Sequence, residues 1–234
     1  MAPDFSKRSK EKELIDDAAS ITEAESIRNL KELDMFNRLT GSIRRTIRYL
    51  KPYMPPAKPL RVVDIGCGGG EFLISLDNWS RKNNRNLKLT GIDNNQLAVD
   101  YVSKRTKSNV NIITLNRNYK DYLLNPGIIP QIIHCSLFLH HLDREEIIGL
   151  MVTARQINAI LVVNDLIRSG AAWYGARLLT TLFNGTSLAK NDGPLSVLKG
   201  FREYEIREMA TKAGLSVLLW KTIPFYRFIA IISP

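Results

Sequence analysis

The spacing of hydrophobic residues changes at a proline-rich segment over residues 52–59. Before it, from residue 10 to residue 51, apolar side chains recur every three or four positions, which predicts helices with a break at Thr40-Gly41-Ser42. After it, short apolar runs alternate with amphipathic stretches. Alternation of this kind is typical of a parallel sheet covered by helices on both faces.

The pattern after the prolines predicts seven strands and five helices. The strands are Leu60–Ile65, Leu87–Ile92, Val110–Leu115, Ile128–Cys135, Ile160–Val163, Ser216–Lys221 and Tyr226–Ile232. The helices are Gly70–Lys82, Gln96–Lys107, Asp143–Gln156, Trp173–Phe183 and Glu203–Ala213. Residues 185–198 are rich in turn-forming residues and predict a loop. Because the last two strands are joined by too few residues for a crossover helix, they should pair antiparallel.

The predicted fold class is therefore α/β, a doubly wound, mostly parallel seven-stranded sheet with an antiparallel last strand and an N-terminal helical cap. The cap covers residues 1–51 and the main domain residues 58–234. Within the main domain, residues 166–202 form a helix and loop insertion.

Composition is that of an ordinary globular protein. Of the 234 residues, 44% are apolar and 24% are charged, which allows a full core and excludes a largely disordered chain. The net charge is +10, and residues 81–120 alone hold nine basic and two acidic side chains. One interpretation is a basic face toward phosphate in nucleic acid, a lipid headgroup or an acidic carrier. A solvated helix surface is the favoured alternative, because aromatic residues do not alternate with the charges.

Cysteine and histidine positions argue against a metal centre or a disulfide framework. Cys67 and Cys135 are far apart, and the three histidines at 134, 140 and 141 have no further histidine or cysteine at ligand spacing. We therefore expect no metal. Residues 1–12 mix both charges without an apolar core, unlike a signal peptide, and no apolar run is long enough to span a bilayer. A cytoplasmic location is expected.

The clearest chemical signature is Val62-Val63-Asp64-Ile65-Gly66-Cys67-Gly68-Gly69-Gly70-Glu71, a strand that leads through a glycine turn into a helix. Glycines permit the tight turn and let a ligand approach backbone N–H groups at the helix start. A dinucleotide fingerprint requires glycine where this chain has Glu71, so an NAD-dependent oxidoreductase is disfavoured. A second strand, Leu89-Thr90-Gly91-Ile92-Asp93, ends in a carboxylate that can accept hydrogen bonds from both hydroxyls of a ribose.

Together the two motifs resemble those of the class I S-adenosylmethionine (SAM)-dependent methyltransferases. The resemblance implies SAM as cofactor, S-adenosylhomocysteine (SAH) as product, and a glycine turn around the amino-acid end of SAM. The cofactor-binding residues that it implies are Asp64, Gly66, Cys67, Gly68, Gly70, Asp93, Asn94, Asn116 and Ser136. Asn116 and Asn118 stand where the family often has an acid that contacts adenine, and an amide oxygen can accept the same hydrogen bond.

The segment from Ile132 to Leu142 resembles the fourth motif of this family, a strand end followed by His140-His141-Leu142. A neutral imidazole can take the proton of a phenol or enol while its oxygen attacks the methyl group. The alternative is that one histidine caps the helix at Asp143 and the other packs. We predict His141 as the base, with His140 as the second candidate, and His134 as a core residue.

Residues after the fifth strand resemble those of bacterial small-molecule methyltransferases associated with polyketide or aromatic-lipid biosynthesis. This resemblance implies that Asp165 and Arg168 orient a polar group of the substrate and that Trp173 and Phe183 wall an apolar pocket. Simple packing of that helix on the sheet is the alternative. The predicted reaction moves a methyl group from SAM to a small, apolar aromatic, phenolic or polyketide-like acceptor, at oxygen.

Two other functions stay open. One is an RNA methyltransferase that uses the basic residues 81–120, although the chain lacks an aromatic-rich motif after the fourth strand. The other is a non-catalytic protein of the same fold that binds a partner through residues 185–198. We expect a small-molecule partner rather than nucleic acid, a monomer or homodimer, and leave open a peripheral contact with a membrane or an acidic carrier.

Overall fold

A computed structural model describes residues 3–16, 21–55, 59–125, 127–182 and 185–234. The helices are α1 (Glu23–Thr40), α2 (Ser42–Leu50), α3 (Glu71–Lys82), α4 (Gln96–Arg105), α5 (Tyr119–Leu124), α6 (Arg144–Gln156), α7 (Gly170–Leu182), α8 (Ser187–Lys199) and α9 (Glu203–Lys212). The strands are β1 (Leu60–Ile65), β2 (Leu87–Asp93), β3 (Ile112–Asn116), β4 (Ile132–Ser136), β5 (Ile160–Leu166), β6 (Ser216–Ile223) and β7 (Arg227–Ser233).

All seven strands form one sheet in the order β3-β2-β1-β4-β5-β7-β6. Strands β1 to β5 pair in parallel, and β7 runs antiparallel to both of its neighbours. The register sets Asp93 of β2 beside Asn116 of β3, and Ser136 of β4 beside Asn164 of β5. The predicted fold class is confirmed, and the carboxyl ends of the parallel strands meet at one edge, where α/β sheets bind ligands.

Helices bury apolar side chains against both faces of the sheet. On one face α2 and α3 contribute Ile43, Ile47 and Leu73, and on the other α6 and α9 contribute Ile147 and Ile206. Within the described ranges, no helix is long and apolar enough to cross a bilayer.

The helical lead-in starts later than the periodicity predicts. Helix α1 begins at Glu23, where Thr22 and Glu25 form a capping box, and residues 10–13 are not helical. Their neighbours instead bind distant groups: the backbone N–H groups of Leu14 and Ile15 donate to the carboxylate of Asp192. The predicted break is confirmed, because Gly41 ends α1 with a left-handed backbone (φ 59°).

The prediction of a loop over residues 185–198 is wrong, because most of this segment is helix α8. Thr186 caps it, and Pro194 lies within it. Packing against α7 overrides the turn-forming composition: Gly193 lies so close to Thr180 that a β-carbon at Gly193 would be 3.1 Å from its methyl group. Helix α5 is a further element that the apolar pattern did not predict. The division into a cap and a main domain stays a prediction.

Candidate active site

A cavity of about 460 Å³ lies at the carboxyl edge of the sheet, beneath α1. That volume falls within the range of small-molecule sites. Its walls come from the glycine turn, the ends of β2 and β4, the segment after β3, α1 and the N-terminal segment. The lining includes Ile15, Asp16, Leu30, Leu33, Asn37, Asp64, Gly66, Cys67, Gly68, Asp93, Asn94, Asn118, Ser136, Phe138 and His141.

The three predicted glycines of the turn have left-handed backbones but different surroundings. A β-carbon at Gly66 would collide with the ring of Phe138, and one at Gly70 would be 2.6 Å from Val102 Cγ1. At Gly68 the nearest neighbour would be Leu30 Cδ2, at 3.7 Å. Gly66 and Gly70 are therefore required for packing, whereas Gly68 leaves its backbone open to the cavity.

Asp93 fastens the glycine turn to the end of β2. Its carboxylate accepts one hydrogen bond from the Gly68 N–H (3.0 Å) and another from the Asn95 N–H (2.9 Å). Burial raises the pKa of Asp93 despite these two bonds. The carboxylate thus lies on the cavity wall beside open backbone, an arrangement suited to the hydroxyl groups of a nucleoside.

Asp64, behind the turn, is paired with a histidine from the neighbouring strand. His134 Nδ1 lies 2.6 Å from Asp64 Oδ1, and both side chains are buried. The imidazole also stacks on Phe72 with the ring centroids 3.5 Å apart. Its Nε2 has no hydrogen-bond partner among the described residues. His134 is therefore more than core filling, because its ring orients a carboxylate that lines the cavity.

His141 lines the cavity and is the last residue of a 3₁₀ turn, Leu139–His141, that follows β4. Its Nδ1 bonds to Asp16 Oδ1 at 2.9 Å, and its Nε2 lies 3.9 Å from Glu13 Oε2. Burial lowers the pKa of His141, but the hydrogen bond to Asp16 and the charge of Glu13 outweigh it, and the pKa is raised. The structure therefore places a titratable imidazole at the cavity, held by the N-terminal segment.

A sequence model described as "Methyltransferase domain" matches residues 62–158, which contain the glycine turn, Asp93 and both adjacent histidines. Residues 62–158 therefore form a methyltransferase domain. The family predicted from the motifs is thereby confirmed. No curated protein sequence matches the chain significantly.

Solved structures share the fold of this methyltransferase at low sequence identity. Magnesium protoporphyrin IX methyltransferase from Synechocystis, with bound SAH, has 16% identity and a TM-score of 0.65, over 94% of this chain and 99% of its own. The plantazolicin methyltransferase BpumL, in complex with SAH, has 15% identity and a TM-score of 0.64, over 90% and 89%. A SAM-dependent methyltransferase from Aquifex aeolicus has 17% identity and a TM-score of 0.60, over 91% and 98%.

The other predicted cofactor residues divide into two groups. Cys67, Asn94 and Ser136 line the cavity of the methyltransferase, together with Asp64, Gly66, Gly68 and Asp93. Gly70 and Asn116 are not part of the lining. The Asn116 amide donates to the Asp93 carbonyl (3.2 Å), and the neighbouring Asn118 lines the cavity instead.

Three of the four predicted substrate residues, Asp165, Arg168 and Trp173, do not line the cavity. Arg168 is buried, and its guanidinium donates to both carboxylate oxygens of Glu205 (2.8 and 3.0 Å) and to backbone carbonyls. Trp173 packs edge-on against Phe5, with centroids 6.5 Å apart. Phe183 lies outside the described residues. Asp165 is buried behind His140, whose Nδ1 lies 2.6 Å from its carboxylate.

An ion-pair cluster under the two histidines escaped sequence reasoning. Glu13, His140 and His141 bring ligand-type atoms within 4.8 Å of one another. The ammonium of Lys199 is 3.1 Å from Glu13 Oε1 and supplies a balancing positive charge. Glu13 is separated from the histidines by more than a hundred residues, so no local spacing could reveal the cluster. The expectation of no metal stays a prediction.

Arg227 is a second residue that sequence reasoning missed. It is completely buried, and burial lowers its pKa to about 10. Its guanidinium donates to Asn37 of α1 (2.6 Å) and to Ser136 at the end of β4 (3.0 Å), two residues that line the cavity. The sequence offered one indication of its role, because Arg227 is a lone charged residue at the start of the apolar strand β7. Arg227 ties α1 to the sheet beside the site.

Proposed function

We propose that the protein transfers the methyl group of SAM to an oxygen atom of a small, largely apolar acceptor. The observation that carries this proposal is that Gly68, Asp93 and His141 line the same cavity. Structures of the same fold hold SAM or SAH, which supports the cofactor. SAM supplies a methyl group already activated by its sulfonium charge.

The residues of the glycine turn and β2 fit this cofactor. The open backbone at Gly68 and the side chain of Asp64 face the amino-acid end, and the Asp93 carboxylate accepts hydrogen bonds from the ribose hydroxyls. Asn118 takes the role first assigned to Asn116 and contacts the adenine ring. The chain contributes alignment and exclusion of water rather than activation of the donor.

The other wall of the cavity supports an apolar acceptor. Ile15, Leu33 and Leu142 line it, together with the amide of Asn37. During transfer the acceptor oxygen forms the new bond to the methyl carbon, the sulfur–carbon bond breaks with its electron pair going to sulfur, and the hydroxyl proton passes to His141. Because a base must be unprotonated, the raised pKa of His141 moves this step toward higher pH.

The test is transfer of label from methyl-labelled SAM into phenols, hydroquinones, hydroxypyrones and bulk RNA. We expect label in a methoxy group of one small-molecule class, identified by mass spectrometry, and none in RNA. Label in RNA alone would identify a nucleic-acid methyltransferase. SAH binding without transfer to any acceptor would favour the non-catalytic alternative.

A further inference from the structure

Six large apolar side chains are exposed on α1, on α7 and in the turn between β6 and β7. Their exposed fractions run from 45% to 68%, and we call them the apolar ridge: Leu39, Tyr174, Leu178, Leu182, Phe225 and Tyr226. Tyr174, Leu178 and Leu182 recur every four residues and so share one face of α7. These positions are far more exposed than the core-facing residue Ala172 of the same helix.

Contacts join the three parts of the apolar ridge into one surface. The rings of Phe36 and Phe225 lie 6.0 Å apart, and Leu39 follows Phe36 by one turn of α1. On the other side of the turn, a β-carbon built on Gly175 of α7 would lie 3.8 Å from the Tyr226 ring. The turn is therefore the link between α1 and α7.

The backbone of that turn is unusual. Phe225 and Tyr226 have φ angles of 62° and 53°, a left-handed conformation that favours Gly, Asn or Asp in hairpin turns. Bulky aromatic residues are costly there, and such strain concentrates at functional positions. In this turn the strained backbone leaves the side chains of Phe225 and Tyr226 exposed to solvent.

The end of α1 with α2, helix α7, and the β6–β7 hairpin carry basic but no acidic side chains. Residues 39–50, 170–182 and 216–233, which carry or adjoin the ridge, contain no Asp or Glu but six Arg and Lys, of which Arg227 is buried. Arg44, Arg48, Arg177 and Lys221 are exposed. A second copy of the chain would bring like charges together across a two-fold axis, which disfavours self-association. An anionic surface matches both the charge and the exposed apolar area.

We propose that the apolar ridge docks the protein on bilayers that contain anionic phospholipids. Aromatic and leucine side chains enter the interface, and the surrounding cations contact headgroup phosphates. This assigns membrane contact to a surface other than the basic residues 81–120. Docking does not depend on the proposed methyl transfer, but the inner face of α1 lines the cavity, so an apolar acceptor would reach it from the bilayer side.

The test is flotation of the full chain with phosphatidylcholine vesicles, with and without phosphatidylglycerol. We expect binding to the anionic vesicles, weakened about tenfold or more by the double change Leu178→Asn and Phe225→Asn. Leu124→Asn is the matched control, because Leu124 is 74% exposed on α5, outside the ridge. Arg44→Gln with Arg48→Gln should also weaken binding, whereas Lys88→Gln with Lys104→Gln should not.

Three results would overturn the proposal. One is no binding to anionic vesicles by the wild-type chain. Another is equal loss in the control variants, which would move the contact to the basic residues 81–120. The third is a dimer in sedimentation velocity that Leu178→Asn dissociates, which would make a second copy the occupant. Thermal unfolding of each variant verifies that the fold is intact.

Discussion

The two walls of the cavity are held by different kinds of interaction. On the wall that we propose binds SAM, called the cofactor wall, Asp93 accepts a hydrogen bond from the Gly68 N–H (3.0 Å), and Asp64 pairs with His134 (2.6 Å) inside the core. On the wall that we propose faces the acceptor, called the acceptor wall, Asp16 pairs with His141 at 2.9 Å, with both side chains partly exposed to solvent. The cofactor wall is built from adjacent strands of the sheet. The acceptor wall depends on contacts with the N-terminal segment, which is not part of the sheet.

This difference sets how each wall should respond to mutation and pH. A buried pair resists solvent screening, and removing one partner leaves an uncompensated group in the core. A partly exposed pair contributes little to stability, but it can still shift the pKa of the groups that it joins. Substitutions in the cofactor wall should therefore reduce cofactor affinity and the free energy of unfolding. Substitutions in the acceptor wall should instead change turnover and its dependence on pH.

The largest effect is expected on the acceptor wall, from His141→Ala. If the acceptor is a hydroxyl, loss of the base should reduce turnover about 10²- to 10⁴-fold while SAM affinity stays nearly unchanged. Alkaline pH should partly rescue the variant, because a pre-ionised acceptor needs no base. His140→Ala should be milder, since His140 faces Asp165 rather than the cavity. If His141→Ala turns over as fast as the wild type at neutral pH, His141 is not the general base.

A smaller but global effect is expected on the cofactor wall, from His134→Leu. The change leaves the Asp64 carboxylate buried without its partner, so the free energy of unfolding should fall by about 3 kcal/mol. SAH affinity should fall as well, because Asp64 lines the cavity. His134→Gln, which keeps a donor, should restore part of both. Urea unfolding measures the free energy of unfolding, and calorimetry measures the SAH affinity. If neither changes in His134→Leu, His134 does not position Asp64.

The smallest effect is expected from Asp16→Asn. Stability should change by less than about 1 kcal/mol, as for other solvent-accessible ion pairs. The pH profile should change more clearly: Asp16 and Glu13 raise the pKa of His141, burial and the positive charge of Lys199 oppose them, and loss of the Asp16 charge lowers that pKa. The rising limb of kcat/KM should therefore move to lower pH. If the rising limb of kcat/KM does not move, a group other than His141 controls it.

The cofactor wall could be predicted because its parts are local. The glycine turn directly follows β1, Asp93 ends β2, and parallel strands bring both to one edge of the sheet. The structure adds which glycine has an uncrowded backbone, the pairing of Asp64 with His134, and the presence of Asn118 rather than Asn116 in the lining. The family followed from the same two motifs, and the fold class from the alternation of predicted strands and helices.

The acceptor wall could not be predicted, because its contacts join residues far apart in the chain. Asp16 meets His141 across 125 positions, and Glu13 meets Lys199 across most of the sequence. Arg168 looked available for a substrate, but Glu205 occupies its guanidinium. The composition of residues 185–198 predicted a loop, and packing against α7 produced a helix. Tertiary contacts decided each of these outcomes.

The most direct test of the central claim, that this cavity holds the cofactor, is calorimetric titration of SAH into wild-type protein and Asp93→Ala. Loss of a carboxylate that accepts two hydrogen bonds should weaken SAH binding about 30- to 100-fold. Asp100→Ala on the exposed side of α4 should bind as the wild type does. Equal affinity in all three proteins, or no SAH binding by the wild type, would contradict the assignment of this cavity to the cofactor.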